Sequence, residues 1–276
     1  MLLIALAGQA NTAQISGRVS DMTGAALPGV KITAVHQATV FRFEQSTDAT
    51  GSFVIASLPI GEYDIFAELE GFRRAEHSGL SLFIGQTAKL DFTLEVGVVS
   101  EEILVLATDA PLLKADNAEV SDVIENARII NLPLNGRQFM DLSLLSDGVV
   151  KPPAGTRGSA LQQAGNVVNV AGQRSGHNIY LLDGVKVTDE YFNNLVVSPS
   201  IDAIQEFKIQ KSQYPAEFGG KASALINVAT KSGSNAFHGT LFEFFRNDIF
   251  DAKDFFDSPG DPIPPLRLNQ YGGTLG

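Results

Sequence analysis

The chain has no cysteine and no tryptophan in 276 residues, only three methionines and four histidines, and no long apolar run. Without cysteine, disulfides and thiolate metal sites cannot form, and a lipid-bearing amino-terminal cysteine is excluded. His36, His77, His177 and His238 lie far apart, and the HExxH, GxxxxGK and GxSxG patterns are all missing. These absences predict a protein that is not an enzyme, with no catalytic residue, no metal site and no cofactor. Basic residues are also in deficit. The formal net charge of -11 argues against nucleic acid, which needs a basic face. No stretch reaches the ~18 uninterrupted apolar residues of a spanning helix. Yet 44% of the residues are hydrophobic, ample for packed cores, and the length fits about two domains.

What is present is a β pattern. Between residues 15 and 96, the segments 15–19, 30–35, 40–45, 53–56, 63–69 and 88–94 are rich in β-branched or aromatic residues. Turn signals separate them at 21–24, 48–51, 59–61 and 70–71. Short, evenly spaced strands with that punctuation predict a small β-sandwich. Phe41, Phe43, Phe53, Tyr63 and Phe66 alternate with polar residues as a core face does. A sugar-binding platform is the weaker account of these rings, since tryptophan is lacking. Ahead of them, residues 2–7 form an apolar run followed by Gly8, Ala10 and Ala13. That is the tail of a secretory signal without its basic leader, cut after Ala10 or Ala13; the alternative is a short buried strand.

Further along, the chain is acidic at Glu101 and Glu102, then apolar and β-prone at Ile103, Leu104, Val105 and Leu106. Such a run on a linker suits strand addition to the sheet edge of a partner. The alternative is the first strand of the next domain. Val120, Val123, Ile124 and Ala127 have helical spacing and predict a helix over 118–127. Leu132, Pro133 and the Asn135-Gly136 turn end it, with Arg137 following, in either a solvated or a paired role. Residues 139–145 read as further helical turns and 151–165 as an exposed loop suited to contact with cargo. Segments 178–182 and 185–188 flank Asp183-Gly184, a tight-hairpin dipeptide. Ser200 can cap one turn through Ile204, residues 206–210 alternate as a half-buried strand, and 224–230 form a last strand. Asp202 and Glu206, four apart, read as a solvated face.

Three blocks in this order, LLDGV, PSIDAIQEFKIQKSQYPAEFGG and ALINVATKSGSNAFHG, resemble the plug domain of TonB-dependent outer-membrane receptors of the Oar-like branch. LPLNGRQF is similar to a block of the same branch. Earlier, ISGRVSDMTGAALPGVKI, TDATGSF, LPIGEYDI, EGF and LDFTL resemble the carboxypeptidase regulatory-like domain, a transthyretin-like sandwich that carries no peptidase activity. With the signal remnant read at 1–13, the resemblance implies the sandwich at 14–96 and a linker with a TonB-contact segment at 97–108. The plug then occupies 109–234, and 235–276 begin a β-barrel. The aromatic run 237–247 fits the ~10 residues of a membrane strand, and 269–273 look like the beginning of a second.

The predicted fold class is therefore mainly β: a small Greek-key β-sandwich, a mixed α/β plug domain and the first strands of an incomplete outer-membrane β-barrel. About 22 strands close such a transporter, far more than the 42 residues from Asn235 onward provide. The chain is thus expected to be the amino-terminal part of a receptor, truncated after its first strands. The function the resemblance implies is energised uptake of an unidentified cargo at the outer membrane, with sandwich and linker facing the periplasm. TonB would add a strand at Glu101, Glu102, Ile103, Leu104, Val105 and Leu106. The motif residues Leu132, Pro133, Asn135, Gly136, Arg137, Asp183 and Gly184 would build the plug. The rival is a secreted or surface adhesion or carbohydrate-binding protein using the sandwich.

Overall fold

The computed structural model describes residues 12–97, 103–105, 120–132, 134, 137–152, 167–189, 191, 193, 195–211, 218–220, 223–253, 258 and 260–276. Two compact units result, one ending at Asn235 and the other spanning Ala236–Gly276.

The first unit opens with β1 (Thr12–Asp21), β2 (Lys31–His36), β3 (Arg42–Ser46), β4 (Ser52–Pro59), β5 (Gly61–Glu68), β6 (Ala75–Leu82), β7 (Thr87–Lys89), β8 (Phe92–Leu94) and β9 (Ile103–Val105). They make two sheets. In one, β1 is antiparallel to β4 and parallel, at successive positions, to β7 and β8. The other runs β3-β2-β5-β6-β9. Between them lies an apolar core that includes Ile15, Ile32, Leu58, Tyr63, Ile65 and Leu94. The predicted sandwich is present, with differences. The 88–94 segment is two strands, because its chain shifts from one part of β1 to the next. Strand β6 lies in a stretch with no strand signal in the sequence. Ala13, placed in the signal, is a buried residue of β1; residues 1–11 lie outside the described set.

Of the aromatic series, Tyr63 and Phe53 are buried and Phe43 packs partly on the core. Tyr63 is anchored by donating its hydroxyl to the Pro59 carbonyl at 2.8 Å. Phe41 departs from the expected alternation and is exposed, because it precedes β3 beside Val40, which sits at φ +60°. The ring of Phe66 lies 4.0 Å from the Arg74 guanidinium carbon. Two Asp-x-Thr-Gly turns repeat one design. The Asp21 Oδ1 accepts from Thr23 N, Thr23 Oγ1 and Ala25 N. Likewise Asp48 Oδ1 accepts from Thr50 N, Thr50 Oγ1 and Ser52 N. These bonds, the threonine hydroxyl foremost, hold both carboxyls below their ordinary range.

The rest of this unit centres on a mixed sheet. β10 (Val120–Glu125) leads into the short helix α1 (Asn126–Asn131). A 3-10 segment, Phe139–Leu145, follows where helical turns are expected, then β11 (Val149–Val150) and β12 (Asn169–Val170), paired with each other. Next come β13 (Ile179–Leu182), β14 (Val185–Lys186), β15 (Ile204–Lys211) and β16 (Ala224–Thr230). The order is β10-β15-β16-β13-β14, with β13 and β16 parallel and the other pairs antiparallel. Phe207, Ile209, Ile226 and Tyr180 pack in its core with Phe139 and Ile129.

Two expectations fail here. The helix over 118–127 is instead strand through Glu125, with helix only afterwards. Its β-branched residues suit either form, and the antiparallel ladder of Val120–Glu125 against β15 decides for strand. Second, β15 is buried on both faces, with Glu206, Lys208 and Gln210 enclosed along with Phe207 and Ile209.

In the second unit, β17 (Gly239–Asn247) and β18 (Arg267–Leu275) form a nine-pair antiparallel ladder with no register shift. Leu241, Phe245, Tyr271 and Leu275 are exposed. Among the described residues no closed barrel forms. The chain is mainly β, as predicted.

Candidate functional site

Strand β9 carries the described part of the expected partner-contact segment. Ile103, Leu104 and Val105 pair in parallel with Ala75, Glu76 and His77 of β6. The segment is thus the outermost strand of the sandwich sheet, not the first strand of the mixed sheet. Among the described residues it pairs with β6 alone, as the last strand of the order β3-β2-β5-β6-β9. Glu101, Glu102 and Leu106 lie outside the described residues.

The motif residues of the mixed sheet join distant segments. Asp183 and Gly184 both have positive φ, +49° and +78°, as the tight turn between β13 and β14 demands. Asp183 then does a second job: its carboxylate accepts from Thr230 N at 2.9 Å and Thr230 Oγ1 at 2.7 Å, tying the turn to the end of β16. Arg137, at φ +54°, donates through Nη2 to Asp202 Oδ2 at 2.6 Å. The pair joins the LPLNGRQF and PSIDAIQEF blocks across 65 positions. Asp202, expected on a solvated face, is therefore an ion-pair partner, with its side chain 13% exposed. Leu132 caps α1, while Pro133, Asn135 and Gly136 lie outside the described residues. Ser200 occupies the predicted cap position without a side-chain cap bond; its hydroxyl donates to Asp202 Oδ2 instead.

Replacing Arg137 with methionine removes the cationic partner of Asp202 and should cost about 2 kcal/mol in urea denaturation. That lies below the range for a fully buried pair, since both side chains keep some solvent. A loss no larger than that of an exposed pair, ~0.5 kcal/mol, would count against a structural role.

Glu206, expected on the same solvated face, is enclosed and 4% exposed. Burial pushes its carboxyl up to about 7; the Ile84 amide bond and Lys208 pull the other way, and Glu125 adds to the rise. Sequence reasoning misses this residue because nothing nearby in the chain marks it. Among the described residues no group of histidine, cysteine and carboxylate side chains is arranged to hold a metal.

Residues 14–95 match the family model of the carboxypeptidase regulatory-like domain, and 229–276 match an outer membrane beta barrel domain. Those matches define the class: a regulatory-like sandwich and an outer-membrane barrel segment in one chain. Over its whole length the chain is similar to the TonB-dependent transporter Oar of Myxococcus xanthus, 26% identical over 290 residues. The chain spans 26% of that relative's length. The resemblance to Oar-like TonB-dependent outer-membrane receptors is borne out by these three findings.

Solved structures similar to this chain include hydroxyquinol 1,2-dioxygenase from Pseudomonas putida DLL-E4, at 13% identity and TM-score 0.27, covering 32% of this chain and 57% of that one. Another is a putative carbohydrate binding protein from Bacteroides uniformis, at 19% identity and TM-score 0.26, covering 30% of this chain and 41% of that one. At such TM-scores neither carries an argument about this protein.

Proposed function

We propose that this chain is the amino-terminal part of a TonB-dependent outer-membrane transporter. In this reading the mixed sheet is the plug that gates a β-barrel, and β17 and β18 are the first barrel strands. The sandwich and β9 face the periplasm, where TonB adds a strand to β9 and draws on the plug to admit cargo. The observation that carries it is the position of β9: an uncharged outermost strand, between the sandwich and the mixed sheet, in a chain similar throughout to a TonB-dependent transporter. Strand addition needs such an edge, since main-chain bonds give affinity and alternate side chains give register.

Immobilised carboxy-terminal domain of TonB should retain the full chain, and proline at each of positions 103–106 should abolish retention. Proline removes the N–H groups that a strand partner requires. Retention unchanged by the prolines, or no retention at all alongside binding to a glycan array, would defeat the proposal.

A further inference from the structure

Ile84 lies in the turn between β6 and β7. Phe83 N donates to Gln86 Oε1 at 2.8 Å and Gln86 N to the Phe83 carbonyl at 3.0 Å, closing the turn, with Gly85 at φ +61°. Ile84 is 3% exposed, yet it stands outside the sandwich core. Its backbone is held by the mixed sheet. The Ile84 N–H donates to Glu206 Oε1 at 2.5 Å, and its carbonyl accepts from Lys208 Nζ at 3.2 Å. Both side chains belong to β15 and are enclosed. A carboxyl and an ammonium, two positions apart on one strand face, thus bracket the polar groups of a single residue from the other domain.

This arrangement is chemically selective. A carboxyl can accept from an N–H and an ammonium can only donate, so the order acid then base along β15 matches the order N–H then C=O along Ile84. Enclosing two such polar groups is costly unless each has a partner, and this peptide supplies a partner to both. A second contact lies at another corner. Asn235 donates its N–H to the Ala38 carbonyl at 3.1 Å and its side-chain amide to the Thr39 carbonyl at 2.7 Å, in the turn between β2 and β3. Two bonds thus tie Asn235 to the turn between β2 and β3.

We propose that the Ile84 turn is the joint that fixes the sandwich to the mixed sheet, clasped by Glu206 and Lys208, so that β9 and β15 move as one body. The joint makes the sandwich a rigid arm rather than a loosely strung accessory, whatever β9 binds. It thereby goes beyond the transport reading and stands or falls separately from it.

Because the chain has no cysteine, paired spin labels can be placed uniquely at two exposed positions, Val54→Cys on the sandwich and Val185→Cys on the mixed sheet. Dipolar spectroscopy on the full chain should give one narrow distance. Glu206→Ala/Lys208→Met should lose it and give a broad distribution. Gln86→Ala, which loosens the turn from the sandwich side, should do the same. Glu206→Gln keeps an acceptor for the Ile84 N–H and should stay narrow. So should Lys211→Met, which removes only an ion pair to Asp122 inside the mixed sheet. A broad distance in the parent, or a narrow one in the double variant, overturns the proposal. Should the double variant lose its β signal in circular dichroism, Gln86→Ala decides: a narrow distance there, with the β signal intact, is equally fatal.

Discussion

Replacing Gly17 with alanine is expected to destabilise the sandwich severely. A Cβ at this position of β1 would stand 1.8 Å from the Leu90 carbonyl oxygen, 2.7 Å from its carbon and 3.1 Å from a ring carbon of Phe53. Neither neighbour is free to yield. The Leu90 N–H is bound to the Ser16 carbonyl at 2.8 Å, and Leu90 lies between β7 and β8, which both pair with β1. Phe53 is itself core, against Phe92. Overpacking usually costs about 1–3 kcal/mol, but here the obstacle is pinned backbone, so a loss of at least ~3 kcal/mol is expected from that mechanism. Gly24→Ala is the matched control. Its φ is +84° but no atom lies within 4 Å of a new Cβ, leaving only the left-handed backbone penalty of about 1 kcal/mol. Urea midpoints of the two variants compare them directly. Equal losses would show that the contact with Leu90 relaxes and that packing around β1 is looser than described.

The second large effect is a pH dependence set by Glu206. Its folded pKa, about 7 against an ordinary 4.5, means that the native state holds this proton more tightly than the unfolded chain. The resulting stabilisation is fully present below about pH 4.5 and is lost as pH rises through about 7. With each tenfold difference in proton affinity worth ~1.4 kcal/mol, the loss comes to about 3 kcal/mol. Glu206→Gln removes the titration while keeping an acceptor for Ile84. Near pH 5 parent and variant should therefore be close in stability, and at pH 8 the variant should be the more stable by a similar ~3 kcal/mol. The exposed carboxyls of Asp21 and Asp48, held low, act in the opposite sense. They lose their contribution as pH falls through their folded values, but they do so equally in both proteins. The difference between the two stability profiles isolates Glu206. A difference that stays flat from pH 5 to pH 8 would mean that the carboxylate finds water or a compensating charge.

The features that the sequence discloses are those decided by neighbours in the chain. Strand β16 is legible to the residue, since it is apolar apart from Asn227 and Thr230 and Lys231-Ser232-Gly233 ends it. The β13–β14 hairpin follows from Asp183-Gly184, whose left-handed backbone is a local demand. What escapes is decided at a distance. Val120–Glu125 satisfies a helical and a strand period alike, and only its ladder with β15 selects between them. β6 is hidden by its polar residues and by Gly79 at φ +74°, beside the irregularity where β5 and β6 shift register. Glu206 and Lys208 look like ordinary surface charges, because the peptide that encloses them is 122 and 124 positions away. The partner-contact run is visible as apolar and β-prone, but the sheet on which it settles is not. Its pairing with β6 depends on a strand that the sequence conceals.

The threefold pairing of β1 also has a kinetic side. Its antiparallel partner β4 arrives within 50 positions, but Gln14 pairs with Thr87, and Asp21 with Leu94. Contacts so remote in sequence form slowly, since the intervening chain must first be ordered. A nascent chain therefore carries β1 with one flank open until residue 94 has emerged, and during that interval its unpaired backbone is a template for misassembly. Completion of the sandwich waits on its last short strands, so changes in β7 or β8 should lower the yield of folded protein more than they lower the stability of what does fold.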